Sequence, residues 1–96
     1  MISILVTLTV RNQSDIEAVR DLLSEHGRRS RQEPGCQRFE VYQSDLDPHA
    51  FFLLEAWESQ ASLDAHREAE AFLTIYGPQV LPLVDRAAHP VTPILA

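Results

Sequence analysis

The segment His49 to Trp57 is apolar on both faces of a β-strand, and this feature restricts the folds open to the chain. One face would carry Phe51, Leu53, Glu55 and Trp57, and the other Phe52, Leu54 and Ala56. A sheet with helices on one side and water on the other normally alternates apolar with polar residues. Large apolar patches are uncommon on monomers, and a second copy of the sheet is the simplest cover for the second face. We therefore expect a homodimer formed by sheet-to-sheet packing.

The N-terminal half contains a strand, a helix and the start of a hairpin. Ile2 to Arg11 is β-branched and apolar, which predicts the first strand. Ser14, with Glu17 three residues later, has the pattern of a capping box and predicts the start of a helix. The Pro34-Gly35 pair predicts that this helix ends near Glu33.

A hairpin and a second helical region follow. Cys36 to Gln43 alternates and predicts a second strand, which the turn at Ser44 to Pro48 joins to the strand His49 to Trp57. Ser59 is a plausible N-cap for the next helix. That region should break near residues 68–70 and again at Gly77-Pro78. The residues at inward-facing spacings are Leu63, His66, Phe72, Leu73 and Tyr76.

The tail His89 to Leu95 is apolar and predicts a last strand, which its two prolines restrict to the edge of the sheet. The element order is then β-α-β-β-α-β within a single domain, residues 1–96. This order predicts an α+β ferredoxin-like fold with an antiparallel sheet.

The charge composition argues against several function classes. Fourteen acidic residues outnumber eight basic residues, giving a net charge of −6, and all eight are arginines. The absence of lysine excludes Schiff-base chemistry through a lysine. An acidic chain without a basic stripe is a poor nucleic-acid binder. No apolar run reaches the roughly 18 residues that a membrane span needs, and no signal peptide is visible. We expect a soluble, cytoplasmic protein that binds neither nucleic acid nor membrane.

The single cysteine, Cys36, has no partner for an internal disulfide. We interpret it as a buried structural thiol. A reactive thiolate would need an electropositive surrounding, for which Arg38, on the same face of the predicted strand, is a candidate.

Several short motifs together resemble the antibiotic biosynthesis monooxygenase domain family. They are Glu33-Pro34-Gly35-Cys36, Phe39-Glu40-Val41-Tyr42, Asp45 to Pro48, Phe52 to Ser59, Leu63-Asp64-Ala65-His66 and Phe72. The resemblance covers almost the whole chain and keeps the element order. It implies a dimeric α+β barrel, in which two ferredoxin-like protomers pack sheet to sheet.

The family includes cofactor-free quinol or anthrone oxygenases, haem-degrading oxygenases and enzymes that handle small signalling sugars. The haem-degrading members have an Asn on the first strand, a Trp on the helix after the third strand, and a His ligand one turn later. This chain has no Asn in Ile2 to Arg11, His66 near the Trp position and Tyr76 near the His position. These departures disfavour haem degradation.

His66 is the candidate catalytic residue. It lies on the inward side of the second helix, and the family resemblance reaches it. It would act as a general base or a hydrogen-bond partner for a substrate hydroxyl. A packing role between helix and sheet is the alternative. No two of the four histidines have a metal-ligand spacing, so we expect no metal.

The candidate substrate-binding residues form an apolar pocket between sheet and helices. They are Trp57, Phe72, Tyr76, Tyr42, Phe39 and Glu55. Such a pocket would suit a flat aromatic molecule. Glu55 would be costly on this face unless paired, and Arg38 on the neighbouring strand is the predicted partner. An unpaired Glu55 would instead have a raised pKa and become a candidate base.

The sequence supports three functional hypotheses. The first is a cofactor-free monooxygenase acting on a quinol, phenolic or anthrone-type substrate with dioxygen. No glycine-rich phosphate loop is present, which argues against nucleotide and flavin sites of the usual kinds. The second is a non-catalytic dimeric module that binds a small ligand or serves a stress response. The third is an isomerase or lyase acting on a small oxygenated metabolite.

Overall fold

A computed structural model describes residues 1–96 and confirms the predicted α+β ferredoxin-like architecture. Four strands form an antiparallel sheet in the order β2-β3-β1-β4. The strands are β1 (Ile2–Val10), β2 (Cys36–Gln43), β3 (Ala50–Trp57) and β4 (Val84–Val91). The helices are α1 (Ile16–Ser30), α2 (Gln60–Arg67) and a π-helix (Phe72–Val80).

The helices cover one face of the sheet, and this covered face contains the core. The apolar strand residues buried there are Ile4, Val6, Leu8, Val10, Phe39, Phe51, Leu53, Trp57 and Val84. Val19 and Leu23 of α1 and Leu63 of α2 pack against them. In β3, the face that carries Trp57 is therefore the covered face, and Glu55 is buried on it.

The start and end of α1 differ from the prediction. Asn12 caps a short 3₁₀ turn (Gln13–Asp15) that precedes α1, and its side chain accepts a hydrogen bond from the Ser14 backbone N–H. α1 itself begins at Ile16 without a side-chain capping bond. The predicted capping box at Ser14 is wrong because the Ser14 hydroxyl also bonds to Asn12. The helix ends at Ser30, and Glu33 lies in the turn that follows.

The turn between α1 and β2 is held tightly against α2. Gly35 has φ of +82°, and a Cβ atom there would lie 2.4 Å from the Cβ of Ser62. The Glu58 N–H donates to the Gly35 carbonyl at 2.8 Å. Only glycine combines this backbone conformation with such a close approach. The turn that carries Glu33 is thus fixed relative to α2.

Replacing Gly35 with alanine should lower the free energy of unfolding by at least about 2 kcal/mol. The left-handed conformation and the overlap with Ser62 both oppose a side chain at this position. Chemical denaturation of the variant would measure the loss. A change below about 0.5 kcal/mol, typical of surface positions, would contradict this description of the turn.

The second helical region breaks where expected, at residues 68–69, but the prediction that Gly77-Pro78 interrupts it is wrong. The π-helix runs through Pro78, and the Gln79 side chain donates to the Thr74 carbonyl at 2.9 Å. The wider turn of a π-helix also changes which residues face the sheet. Tyr76 is buried as predicted, whereas Leu73 is 59% exposed.

The last strand begins earlier than predicted. β4 spans Val84–Val91 and pairs with β1 from Val10 to Ser3. The predicted strand His89 to Leu95 overlaps it only in part, because β1 offers no partner beyond Val91. β4 is an edge strand, as predicted, and this position tolerates Pro90.

The other face of the sheet, called the open face below, has no helix over it. Leu5, Tyr42 and Val91 are exposed there, with Phe52 and Leu54 partly buried between them. The two-faced character predicted for β3 is therefore present in the structure. None of the helices is both long and apolar enough to cross a membrane.

Candidate active site

His66 is held in the interior by the geometry of α2. The Ser59 side chain accepts from the Ser62 N–H, and the Ser62 hydroxyl accepts from the Ser59 N–H, which fixes the first turn of the helix. Leu63 and His66 then lie one turn apart on the buried side. The imidazole is 3% exposed, and its Nδ1 lies 2.6 Å from Oε1 of Glu33.

Glu55 is a buried carboxyl without an arginine partner. Its Oε1 accepts from the Trp57 indole N–H at 3.1 Å and lies 3.9 Å from Nε2 of His66. Burial raises the pKa of the Glu55 carboxyl, and the Trp57 hydrogen bond only partly opposes this rise. The predicted Glu55–Arg38 pair is wrong, because Arg38 sits opposite Ala56, off the Glu55 face, and binds Glu40.

The predicted substrate-binding residues converge around His66, with one exception. The His66 ring centroid lies 4.5 Å from that of Trp57, 5.6 Å from Phe72 and 5.8 Å from Phe39. Tyr76 packs on Phe72 at 5.1 Å. Tyr42 does not join them: it is exposed on the open face, and its hydroxyl donates to Glu40.

The space enclosed by these side chains is small. The cavity beside His66 and Glu55 measures about 10 Å³, room for roughly one water molecule. A flat aromatic ligand needs a pocket of several hundred Å³. The expected pocket is therefore closed in this conformation.

Two arginines border the same cavity. Arg67 and Arg86 are exposed residues that line it together with Phe72. Arg86 Nε donates to the Tyr76 hydroxyl at 2.9 Å. Burial raises the pKa of Tyr76, while the nearby Arg86 guanidinium opposes this effect. Two positively charged side chains thus lie at the edge of the cavity that contains the Glu55 carboxyl and the His66 imidazole.

His26, on α1, is a second buried histidine beside His66. Its ring stacks on Tyr76 at 4.6 Å and lies 5.5 Å from His66. Its Nδ1 has no hydrogen-bond partner. Burial, and secondarily the charge of His66, lowers the pKa of His26 to about 4.

Acidification should destabilise the protein through His26. The unfolded residue takes up a proton near pH 6.5, whereas the folded residue does so only near pH 4. The stabilisation is therefore complete above pH 6.5 and is lost as the pH falls toward 4, by about 3 kcal/mol. Unfolding free energies of the native protein and a His26→Leu variant, measured across this range, isolate the effect. Parallel profiles for the two proteins would contradict it.

A larger groove lies on the outer side of His66. It measures about 330 Å³ and is lined by the turn at Glu33 to Gly35, by Glu58 and by the exposed side of α2. His66 borders both this groove and the interior cavity.

No group of three or more His, Cys, Asp or Glu side chains is arranged to hold a metal ion. Cys36 is only partly buried, and burial raises the pKa of its thiol.

Sequence reasoning did not assign a role to Glu33 or Arg86. Glu33 belongs to one of the motifs on which the family resemblance rests. However, its spacing in the sequence does not predict a contact with His66, which is 33 residues away. Arg86 lies in a segment that was not predicted to be a strand. The alternation of β4 could have placed it on the covered face if the start of that strand had been recognised.

Comparison with known proteins assigns the family. The family model described as antibiotic biosynthesis monooxygenase matches residues 1–77. The chain belongs to the antibiotic biosynthesis monooxygenase family. Among curated proteins, 43 residues are 35% identical to part of an uncharacterized protein of Synechocystis sp.. That match covers 45% of this chain and 29% of the Synechocystis protein, so the chain spans less than a third of that relative.

Solved structures share the fold of this antibiotic biosynthesis monooxygenase family member. One, an antibiotic biosynthesis monooxygenase, has a TM-score of 0.89 at 24% identity, covering 99% of this chain and 100% of that chain. A Mycobacterium tuberculosis protein has a TM-score of 0.85 at 24% identity, covering 100% and 98%. A Pseudomonas aeruginosa protein has a TM-score of 0.86 at 23% identity, covering 98% and 95%. At these identities, the matches establish the fold.

Proposed function

We propose that the protein is a cofactor-independent monooxygenase that oxidises a quinol, phenolic or anthrone-type substrate with dioxygen. The observation that carries this proposal is the buried pair of His66 and Glu55, 3.9 Å apart, in a cavity bordered by Arg67 and Arg86. Family membership supports a monooxygenase-like activity. The substrate class is the one that the family resemblance implies, and the His66–Glu55 pair is compatible with its chemistry.

The pair is suited to removing a proton from a weakly acidic hydroxyl. Loss of that proton makes an aromatic ring electron-rich enough to react with dioxygen, and a dry interior favours the transfer. His66 would accept the proton through Nε2, the nitrogen nearer Glu55. The two guanidinium groups would attract and stabilise the resulting anion.

Substrate binding requires the interior to open. Phe72 is only partly buried and lies at the cavity between His66 and the two arginines. It is the first residue of the π-helix, an uncommon element that is frequent at functional sites. We propose that Phe72 moves outward to admit the substrate, so that Trp57, Phe39 and Tyr76 become the pocket wall.

The test is dioxygen uptake by metal-stripped protein over a panel of hydroquinones and anthrones. The matched control compounds are the O-methyl ethers of the hydroquinones, which lack the acidic hydroxyl proton. Uptake that requires the folded protein, and that fails with the ethers, would support the proposal. Absence of uptake, with thermal stabilisation by the same compounds, would instead favour a binding module without turnover.

The open face supports a second proposal, a homodimer packed sheet to sheet. Exposed apolar residues on a central sheet are the expected sign of an interface. Replacing Leu5, which is 40% exposed on this face, with glutamate should weaken dimerisation about a hundredfold, because a charged side chain would be buried in an apolar interface. Sedimentation would measure this change.

The control for the dimer experiment is Leu46→Glu. Leu46 is 97% exposed in the β2–β3 turn, so the same substitution should leave the oligomeric state unchanged. A monomeric native protein, or equal effects of the two substitutions, would contradict the sheet-to-sheet dimer.

A further inference from the structure

We propose that Glu33 is the positioning residue for His66 and that it carries the His66 proton to the outer groove. This inference rests on the proposed function for the source of the proton. Glu33 Oε1 and His66 Nδ1 are 2.6 Å apart, the imidazole is 3% exposed and the carboxylate side chain is 17% exposed. The pair therefore connects a sealed group with one that reaches solvent.

The contact fixes the tautomer of the imidazole. A carboxylate can only accept a hydrogen bond, so the neutral ring must hold its proton on Nδ1 to bind Glu33. Nε2 is then left with a free lone pair on the side of Glu55 and the interior cavity. A histidine with the opposite tautomer would present an N–H to the substrate and could not act as its base.

The position of Glu33 is set by the fold. It lies in the tight turn in which its own N–H donates to the Ser30 carbonyl at 3.1 Å. Two residues later, Gly35 packs against α2 and accepts from the Glu58 N–H. The carboxylate is consequently held at His66 before any substrate binds, which is the arrangement expected of a positioning group.

The same contact provides a proton path. Nε2 accepts a proton from the interior while Nδ1 releases its own proton to the Glu33 carboxylate, giving a neutral Nε2–H imidazole and a carboxylic acid. The Glu33 carboxylic acid then releases this proton to water in the outer groove, which it lines. The cycle closes when Glu33 takes up a proton from the groove and passes it to Nδ1 while Nε2 returns its proton to the interior. Only protons move, and no oxidant is needed. His66 and Glu33 both line the outer groove, and His66 also lines the cavity.

Three variants separate the two roles. Glu33→Ala removes the acceptor and so both roles. Glu33→Gln keeps an oxygen that accepts the Nδ1 proton as a hydrogen bond but cannot take it up. Glu58→Gln is the matched control, since Glu58 lines the same groove and makes no hydrogen bond or ion pair with His66. Ring ¹⁵N resonances of the whole protein report the His66 tautomer, and proton exchange with water reports the path; neither measurement needs a substrate.

We expect native His66 to hold its proton on Nδ1, and the alanine variant to shift toward the Nε2–H form. The glutamine variant should keep the native tautomer while Nδ1–H exchange slows about tenfold or more. Glu58→Gln should change neither. An Nε2–H tautomer in the native protein, or equal exchange rates in the native and glutamine forms, would overturn the proposal. Failure of dioxygen uptake alone would overturn the proposed function and leave these readouts intact.

Discussion

Replacing His66 with alanine is expected to lower the rate of dioxygen uptake by roughly 10²–10⁴-fold, the range for loss of a general base. The imidazole is the one titratable group that contacts both Glu33 and the region of Glu55. Without it, a substrate hydroxyl would have Glu55 as its only nearby acceptor. That carboxyl already accepts the Trp57 indole hydrogen bond.

The measurement is uptake by the variant over the compounds that the native protein oxidises. His66→Asn should lower the rate of dioxygen uptake by a similar factor while keeping an N–H donor for Glu33. Because this variant preserves the Glu33 contact, it guards against an effect of misfolding. His49→Ala is the matched control, because His49 lies in the β2–β3 turn at the opposite end of β3 from Trp57. An unchanged rate in either His66 variant would exclude the residue as the base.

Replacing Trp57 with alanine is expected to lower the free energy of unfolding by about 3–5 kcal/mol. Trp57 has no exposed surface and is the largest side chain of the core. Its loss would leave a cavity beneath α2 and remove the only hydrogen-bond donor to Glu55. A small domain has few large, fully buried side chains, so this substitution would remove a large part of its free energy of unfolding.

Denaturant titration of the Trp57→Ala variant would measure the decrease in the free energy of unfolding. Trp57→Phe keeps most of the ring volume and should therefore cost less than the alanine change. It should also raise the pKa of Glu55 further, because the indole hydrogen bond is what partly holds that pKa down. Equal losses in the two variants would mean that ring volume contributes little, which would contradict a packing role for the fully buried Trp57 ring.

Periodicity and turn residues determined most of the local structure. Alternation placed β2 at its observed bounds and β3 within one residue, and Ser59 was correctly identified as the cap of α2. Two element boundaries were wrong. Pro78 was taken as a helix breaker, yet the π-helix passes through it, and the local pattern gave no sign of this wider helix. The tail was taken as the last strand, whereas pairing with β1 sets the bounds of β4.

The residues of the candidate site could be predicted only in part from the sequence. His66, Glu55 and the surrounding aromatic residues were identified because they share inward-facing positions, and the structure brings them together. The predicted Arg38–Glu55 pair failed because a register irregularity between Cys36 and Arg38 places Arg38 opposite Ala56. Tyr42 was predicted to line the pocket together with Phe39, but the two residues lie on opposite faces of β2, and the structure buries Phe39 and exposes Tyr42.

The sequence by itself therefore determined the element order, the family and the two-faced character of β3. These depend on short-range periodicity and on motifs that keep their spacing. Only the tertiary structure decided that Glu33 meets His66, that Arg86 borders the cavity and that the interior is closed. Such contacts join residues far apart in the chain, and their distances depend on how the turn at Gly35, the helices and the sheet pack together.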